Sequence, residues 1–100
     1  MLEIKQTSEF RNWMKKLKDI RANTIILKRL ERVAQGNFGD QKKIDSKISE
    51  IRIDYGPGYR IYYINTGQEI ILLLIGGDKS TQTSDIKKAK QLVAKIGETK

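Results

Sequence analysis

The sequence predicts an α+β domain with helices packed on a mainly antiparallel sheet. Three observations lead there. Apolar residues recur at helical spacing in two early segments and again near the end. Between those segments run three stretches that alternate or are wholly apolar, separated by turns bearing Gly, Pro and Asn. The chain has 100 residues, which suits one domain (1–100) and one modest core. Helices grouped apart from strands indicate α+β rather than repeated βαβ units.

Taken in order, Leu2 to Gln6 alternates and is predicted to be a short strand. Thr7 or Ser8 offers an N-cap to a first helix with Phe10, Trp13, Met14 and Leu17 at i, i+3, i+4 and i+7 on one face. Asp19 caps a second helix with Ala22, Ile26, Leu30 and Val33 on its core face. Ile25, Leu27 and Ala34 broaden that face, and Gly36 ends the helix. So short a connection predicts an antiparallel helical hairpin. Asn37 to Ser46 is polar and reads as a loop. Strands are expected at Ile48–Asp54 and Tyr59–Asn65, the first turning into the second through Tyr55-Gly56-Pro57-Gly58. Asn65-Thr66-Gly67-Gln68 is the next turn. Glu69 to Ile75 is apolar nearly throughout, as a central strand covered on both faces would be. Gly76 to Thr81 leaves that strand. Thr83 or Ser84 then caps a last helix burying Ile86, Ala89, Val93 and Ile96, with Gly97 at its end. The expected sheet has four strands.

Charge and composition narrow the chemistry. Lys and Arg number 20 against 12 Asp and Glu, a net charge of +8. That surplus points to an anionic partner, either nucleic acid or an acidic protein. There is no Cys and no His. Disulfides, iron–sulfur clusters and thiolate zinc sites are therefore excluded, as are catalytic triads built on imidazole. No metal site and no cofactor is expected. The longest apolar run, Ile70 to Ile75, falls far short of the ~20 residues of a membrane helix. Met1-Leu2-Glu3-Ile4-Lys5 lacks the apolar core of a signal peptide. A soluble cytoplasmic protein without membrane partners is the expectation.

The residues with chemistry to offer are Arg52, Tyr55, Tyr59, Arg60, Tyr62, Lys79 and Lys87. Arg52 and Arg60 fall on neighbouring strands, each out of phase with the apolar positions around it, so both can project to one side. Lys79 follows the end of the next strand. Three cations on one surface would grip a phosphodiester, and tyrosines nearby would stack bases. Plainer roles stand beside these. Arg52 can pair with Glu50 or Asp54 on a solvated strand, and Tyr59 and Tyr63 can be packing residues.

The segment from Ser49 through Ile51-Arg52-Ile53-Asp54-Tyr55-Gly56-Pro57-Gly58-Tyr59-Arg60-Ile61-Tyr62-Tyr63 carries a resemblance, continued by Leu72-Leu73-Leu74-Ile75-Gly76-Gly77-Asp78-Lys79-Ser80-Thr81-Gln82. Phe10 and Trp13, Leu17 to Ile20, Arg29 to Arg32, Gly36 to Asp40, Asp85-Ile86 and Ala89 extend it over nearly the whole chain. It resembles the HigB-like addiction-module killer proteins of the RelE/ParE toxin superfamily. The resemblance implies a RelE-like fold and the toxin of a type II toxin–antitoxin pair. The implied activity is ribosome-dependent endonucleolytic cleavage of mRNA, by attack of the 2′-hydroxyl on the adjacent phosphate without metal. The implied partners are a helix-turn-helix antitoxin, the ribosome and mRNA. By position, Arg60, Arg52 and Lys79 match the catalytic basic residues. Lys79, Asp78 or Tyr59 would supply proton transfer, and Tyr55, Tyr59, Tyr62 and Lys87 would contact RNA. Two other readings remain open at this point: a gyrase-inhibiting ParE-like toxin, and a basic RNA-binding domain without catalysis.

Overall fold

The structure, a computed structural model, describes residues 1–98. It is α+β, with a five-stranded mixed sheet in the order β1-β5-β4-β3-β2. The strands are β1 (Glu3–Gln6), β2 (Gln41–Lys43), β3 (Ile48–Ile53), β4 (Tyr59–Asn65) and β5 (Ile70–Asp78). The helices are α1 (Ser8–Lys16), α2 (Ile20–Ala34) and α3 (Gln82–Glu98). No helix is long and apolar enough to cross a membrane among the described residues.

Both early helices start where cap chemistry places them. The Thr7 side chain accepts the Phe10 N–H at 3.0 Å. The Asp19 carboxylate accepts the N–H groups of Arg21 and Ala22 at 3.0 and 3.2 Å. Each satisfies helix-end donors that would otherwise lack partners. Phe10, Ala22, Ile26 and Val33 then bury against Ile51, Ile53, Tyr59, Ile61, Tyr63, Ile71 and Leu73 on one face of the sheet. On the opposite face α3 lays Ala89, Ile86, Leu92, Val93 and Ile96 over Ile48, Tyr62, Leu74 and Ile75. The sheet is thus sandwiched between the helix pair and α3.

A bulge explains how β5 feeds both layers. Tyr62 pairs with Ile75 and Tyr63 with Leu73, which leaves Leu74 without an opposite residue. The extra residue shifts the alternation, so Leu74 and Ile75 both join the α3 side.

Six expectations change. The sheet has a fifth strand, β2, inside the segment expected to be a loop; it pairs antiparallel with Ser49–Ile51. All of β2 is exposed, so no apolar alternation announces it. The first strand runs parallel to β5, which makes the sheet mixed. Gly76 and Gly77 continue β5, opposite Ile61 and Arg60. The cap of the last helical segment is Asp78, which opens a 3-10 turn over Lys79–Thr81 that runs directly into α3. Gly97 lies within α3. Leu27 is 49% exposed rather than part of the core face.

Arg29 is the buried cation among the described residues. It donates from Nε to the Phe38 carbonyl at 3.1 Å and from Nη2 to the Asp40 carbonyl at 3.0 Å. Burial pulls its pKa below the ordinary arginine value. Gly39 makes the close approach possible: a Cβ there would lie 2.8 Å from Nη2. Arg29 thereby fixes the segment that leads into β2.

Candidate anion-binding face

β3 and β4 pair with Arg52 directly opposite Arg60, and β5 continues the row with Gly77 opposite Arg60. Arg60 lies two residues before Tyr62 and Arg52 two after Glu50, so all four belong to the face that α3 covers. The next row joins Glu50, Tyr62 and Ile75. Two guanidinium side chains therefore stand side by side at the edge of the α3 layer, both half-buried.

Like charges directly opposite each other destabilise a strand pair. The fold answers for one of them. Glu50, 1% exposed, holds its Oε2 3.2 Å from Arg52 Nε. Its Oε1 accepts from Gln82 Nε2 at 3.2 Å, which ties the start of α3 to the same carboxylate. Arg60 receives no such answer: its buried Nε has no hydrogen-bond partner among the described residues.

Lys79 is exposed in the turn after β5. A Cβ on Gly58 would lie 3.6 Å from Lys79 Cβ, so Lys79 stands beside the β3–β4 turn at the Arg52/Arg60 end of the sheet. Asp78 is engaged as a cap: its Oδ1 accepts the Ser80 N–H at 2.8 Å and the Ser80 hydroxyl. The three cations expected from the sequence thus gather at one end of the molecule.

The tyrosines are placed differently from expectation. Tyr62 is fully buried beneath α3 and offers no face to a base. Tyr59 is buried on the opposite side of the sheet, its ring edge-on to Trp13 at 6.1 Å. That position also removes Tyr59 from proton transfer at Arg60. Tyr55 is half-buried, and its hydroxyl donates to Asp19 Oδ2 at 3.1 Å, fastening the β3–β4 turn to the start of α2. Lys87 is exposed on α3, about 140° around the helix from Gln82, away from the sheet. Nothing brings it to the arginine row.

The pairing of Arg52 with Glu50 that the sequence offered is present, although Glu50 is buried rather than on a solvated strand. Gln82, Thr81 and Asp85 are the neighbours that sequence reasoning did not assign to this region. They arrive through the fold. Asp85 packs directly over Gly77, where a Cβ would meet its Oδ2 at 1.7 Å, and it accepts a hydrogen bond from the Thr81 hydroxyl. Burial pushes the Asp85 carboxyl above its ordinary value of 3.8, with Asp78 nearby adding to the effect.

The raised pKa sets a direction for stability. Its favourable contribution is full below the unfolded value near 3.8 and is lost as pH rises through the raised folded value. Charged Asp85 thus opposes folding at neutral pH. An Asp85→Asn variant keeps the shape and an acceptor for Thr81. Its urea midpoint is expected to exceed that of the wild type at pH 7, with the difference closing toward pH 3. Equal midpoints across that range would contradict this.

No family model matches the chain. A curated, uncharacterized protein of Haemophilus influenzae is 48% identical over 96 residues, which covers 96% of this chain and 97% of that protein. The chain belongs to the same family as the Haemophilus influenzae protein. Identity of that level along nearly the full length of both chains implies that the two proteins share the α+β architecture.

Proposed function

We propose that the chain is the toxin of a type II toxin–antitoxin module, a HigB-like member of the RelE/ParE superfamily that cleaves mRNA on the ribosome. The observation that supports this best is the Arg52–Arg60 row. Two adjacent guanidiniums, neither with a hydrogen bond on Nε among the described residues and only Arg52 with a carboxylate beside it, form a surface that a phosphodiester would relieve of repulsion. Guanidinium geometry suits two parallel bonds to phosphate oxygens.

In this reading the RNA 2′-hydroxyl attacks its own 3′-phosphate. The O2′–P bond forms and the P–O5′ bond breaks. The 2′ proton leaves to a base and the departing 5′ oxygen gains one, which yields a 2′,3′-cyclic phosphate and a 5′-hydroxyl end. Arg60, with Arg52 beside it, stabilises the charge that grows on the phosphoryl oxygens, and Lys79 adds an exposed ammonium at the rim. Such donors accelerate reaction only so far as charge develops at them in the transition state. Placing the 2′-hydroxyl in line is the other large contribution. The ribosome supplies that orientation, so a half-open face suffices. The site of action is the cytoplasm. A helix-turn-helix antitoxin with an acidic segment is the expected neutralising partner, held by the +8 surplus.

Inducible expression with mapping of transcript 5′ ends tests the reading. Growth arrest with new 5′ ends inside translated codons is the expected result. DNA breaks without new transcript ends would turn the assignment to gyrase inhibition. Steeply salt-dependent RNA binding with no effect on growth would leave a plain RNA-binding domain.

A further inference from the structure

Tyr62 poses a separate question. Its side chain is 0% exposed, yet its hydroxyl has no hydrogen-bond partner among the described residues. A buried hydroxyl left without a partner destabilises a fold, and a phenylalanine would fill the same space without that cost. The hydroxyl also lies close enough to Glu50, Asp85 and Arg60 for their charges to act on it. Arg60, two residues earlier on the same face, carries another unpartnered donor, its Nε, and the Nε of Arg52 on the neighbouring strand makes no hydrogen bond either, having only its ion pair with Glu50. Two donors without acceptors therefore sit on one strand and one face, below the start of α3.

We propose that the Tyr62 hydroxyl and Arg60 Nε together bind one phosphoryl oxygen, with Tyr62 as a buried hydrogen-bond donor rather than a stacking surface. This deepens the proposed function and rests on its assignment of the arginine row to phosphate. Arg52, opposite Arg60 on the neighbouring strand, is 34% exposed and marks the solvent side of this row. The nearby carboxylates do not close the site to an anion. Glu50 is spent on Arg52 and Gln82. Asp85 is occupied by the hydrogen bond from the Thr81 hydroxyl. Tyr62 is fixed in the apolar cluster beneath α3, and Arg60 stands two residues away on the same strand and face. Burial and the two carboxylates also push the phenol pKa far above its ordinary value of 10.0. The hydroxyl thus keeps its proton and stays a donor.

The test is titration of the full chain with inorganic phosphate, reading the Arg60 Nε–H signal by NMR, together with thermal unfolding with and without phosphate. For Tyr62→Phe we expect roughly tenfold weaker phosphate binding. Its unfolding temperature without phosphate should equal or exceed the wild-type value, and its rise on adding phosphate should shrink. Unchanged phosphate affinity would overturn the assignment. So would a lower unfolding temperature without phosphate, because the hydroxyl would then serve the empty fold; a variant that fails to fold counts in the same way. A wild type that binds no phosphate overturns the site together with the arginine row. Phosphate binding lost in Tyr62→Phe, in a protein that leaves ribosomal mRNA intact, would keep the oxygen site and remove the nuclease reading.

Discussion

Arg60→Ala should abolish growth arrest while leaving the fold in place. The side chain is half-buried at the edge of the α3 layer and is not part of either apolar cluster. Its Nε has no protein acceptor among the described residues, so truncation leaves no carboxylate stranded. It also removes the repulsion from Arg52 across the strand pair. Stability should therefore hold within about 1 kcal/mol, the range of substitutions that open no core cavity and strand no buried charge. Activity should fall roughly 10²- to 10³-fold, as when one transition-state donor is removed from a preorganised site. Urea unfolding and a growth assay on the same variant check the two halves. Arrest as strong as wild type would show that Arg60 does not touch the reacting phosphate.

Gly76→Ala should do the reverse and damage the fold first. Gly76 belongs to the Gly76-Gly77 pair at the end of β5, and each glycine faces a different layer. A Cβ on Gly76 would lie 2.2 Å from Trp13 Cε3 and 2.4 Å from Cζ3. Trp13 cannot simply turn aside. Phe10 lies 5.7 Å away on one flank and Tyr59 6.1 Å away on another. The added methyl must push α1 off the sheet or force the indole from its rotamer. About 3 kcal/mol of lost stability is expected, the upper end for overpacking. For a domain of this size that lowers the melting temperature by roughly 10–25 °C. Gly97→Ala is the matched control, since a Cβ there meets nothing within 4 Å. Helix propensity favours that change, so its melting temperature should stay level or rise slightly. A Gly76→Ala protein as stable as wild type would mean that Trp13 has room the packing does not show.

Much of this arrangement was legible in the sequence because local rules carried it. Thr7 and Asp19 cap as their chemistry requires. The phase of Arg52 and Arg60 against their apolar neighbours was enough to put both on one side, and the β3–β4 register sets them opposite each other. The unbroken apolar run of β5 was a sound sign of burial on both faces. What was not legible depends on partners distant in sequence. Strand β2 exists because Gln41–Lys43 meets Ser49–Ile51, not because of any pattern of its own. The bulge at Tyr62/Tyr63 changes which β5 residues face α3. Tyr62 looks like an exposed aromatic between Arg60 and Ile64 until α3 closes over it. Asp85 and Gln82 reach the arginine face only because α3 folds back across the sheet. The double glycine resembled the start of a loop, and it is in fact a strand end narrowed to admit Trp13 on one face and Asp85 on the other.

The central claim is that adjacent arginines on β3 and β4 serve phosphoryl transfer on ribosome-bound mRNA. The most direct measurement incubates purified protein with translating ribosomes and a defined mRNA, then examines the chemistry of the cut ends. Wild type should leave a 2′,3′-cyclic phosphate and a 5′-hydroxyl within the ribosome-bound codon, and Arg60→Ala should leave the message whole. Intact mRNA with wild type, or equal cutting by Arg60→Ala, would contradict the account.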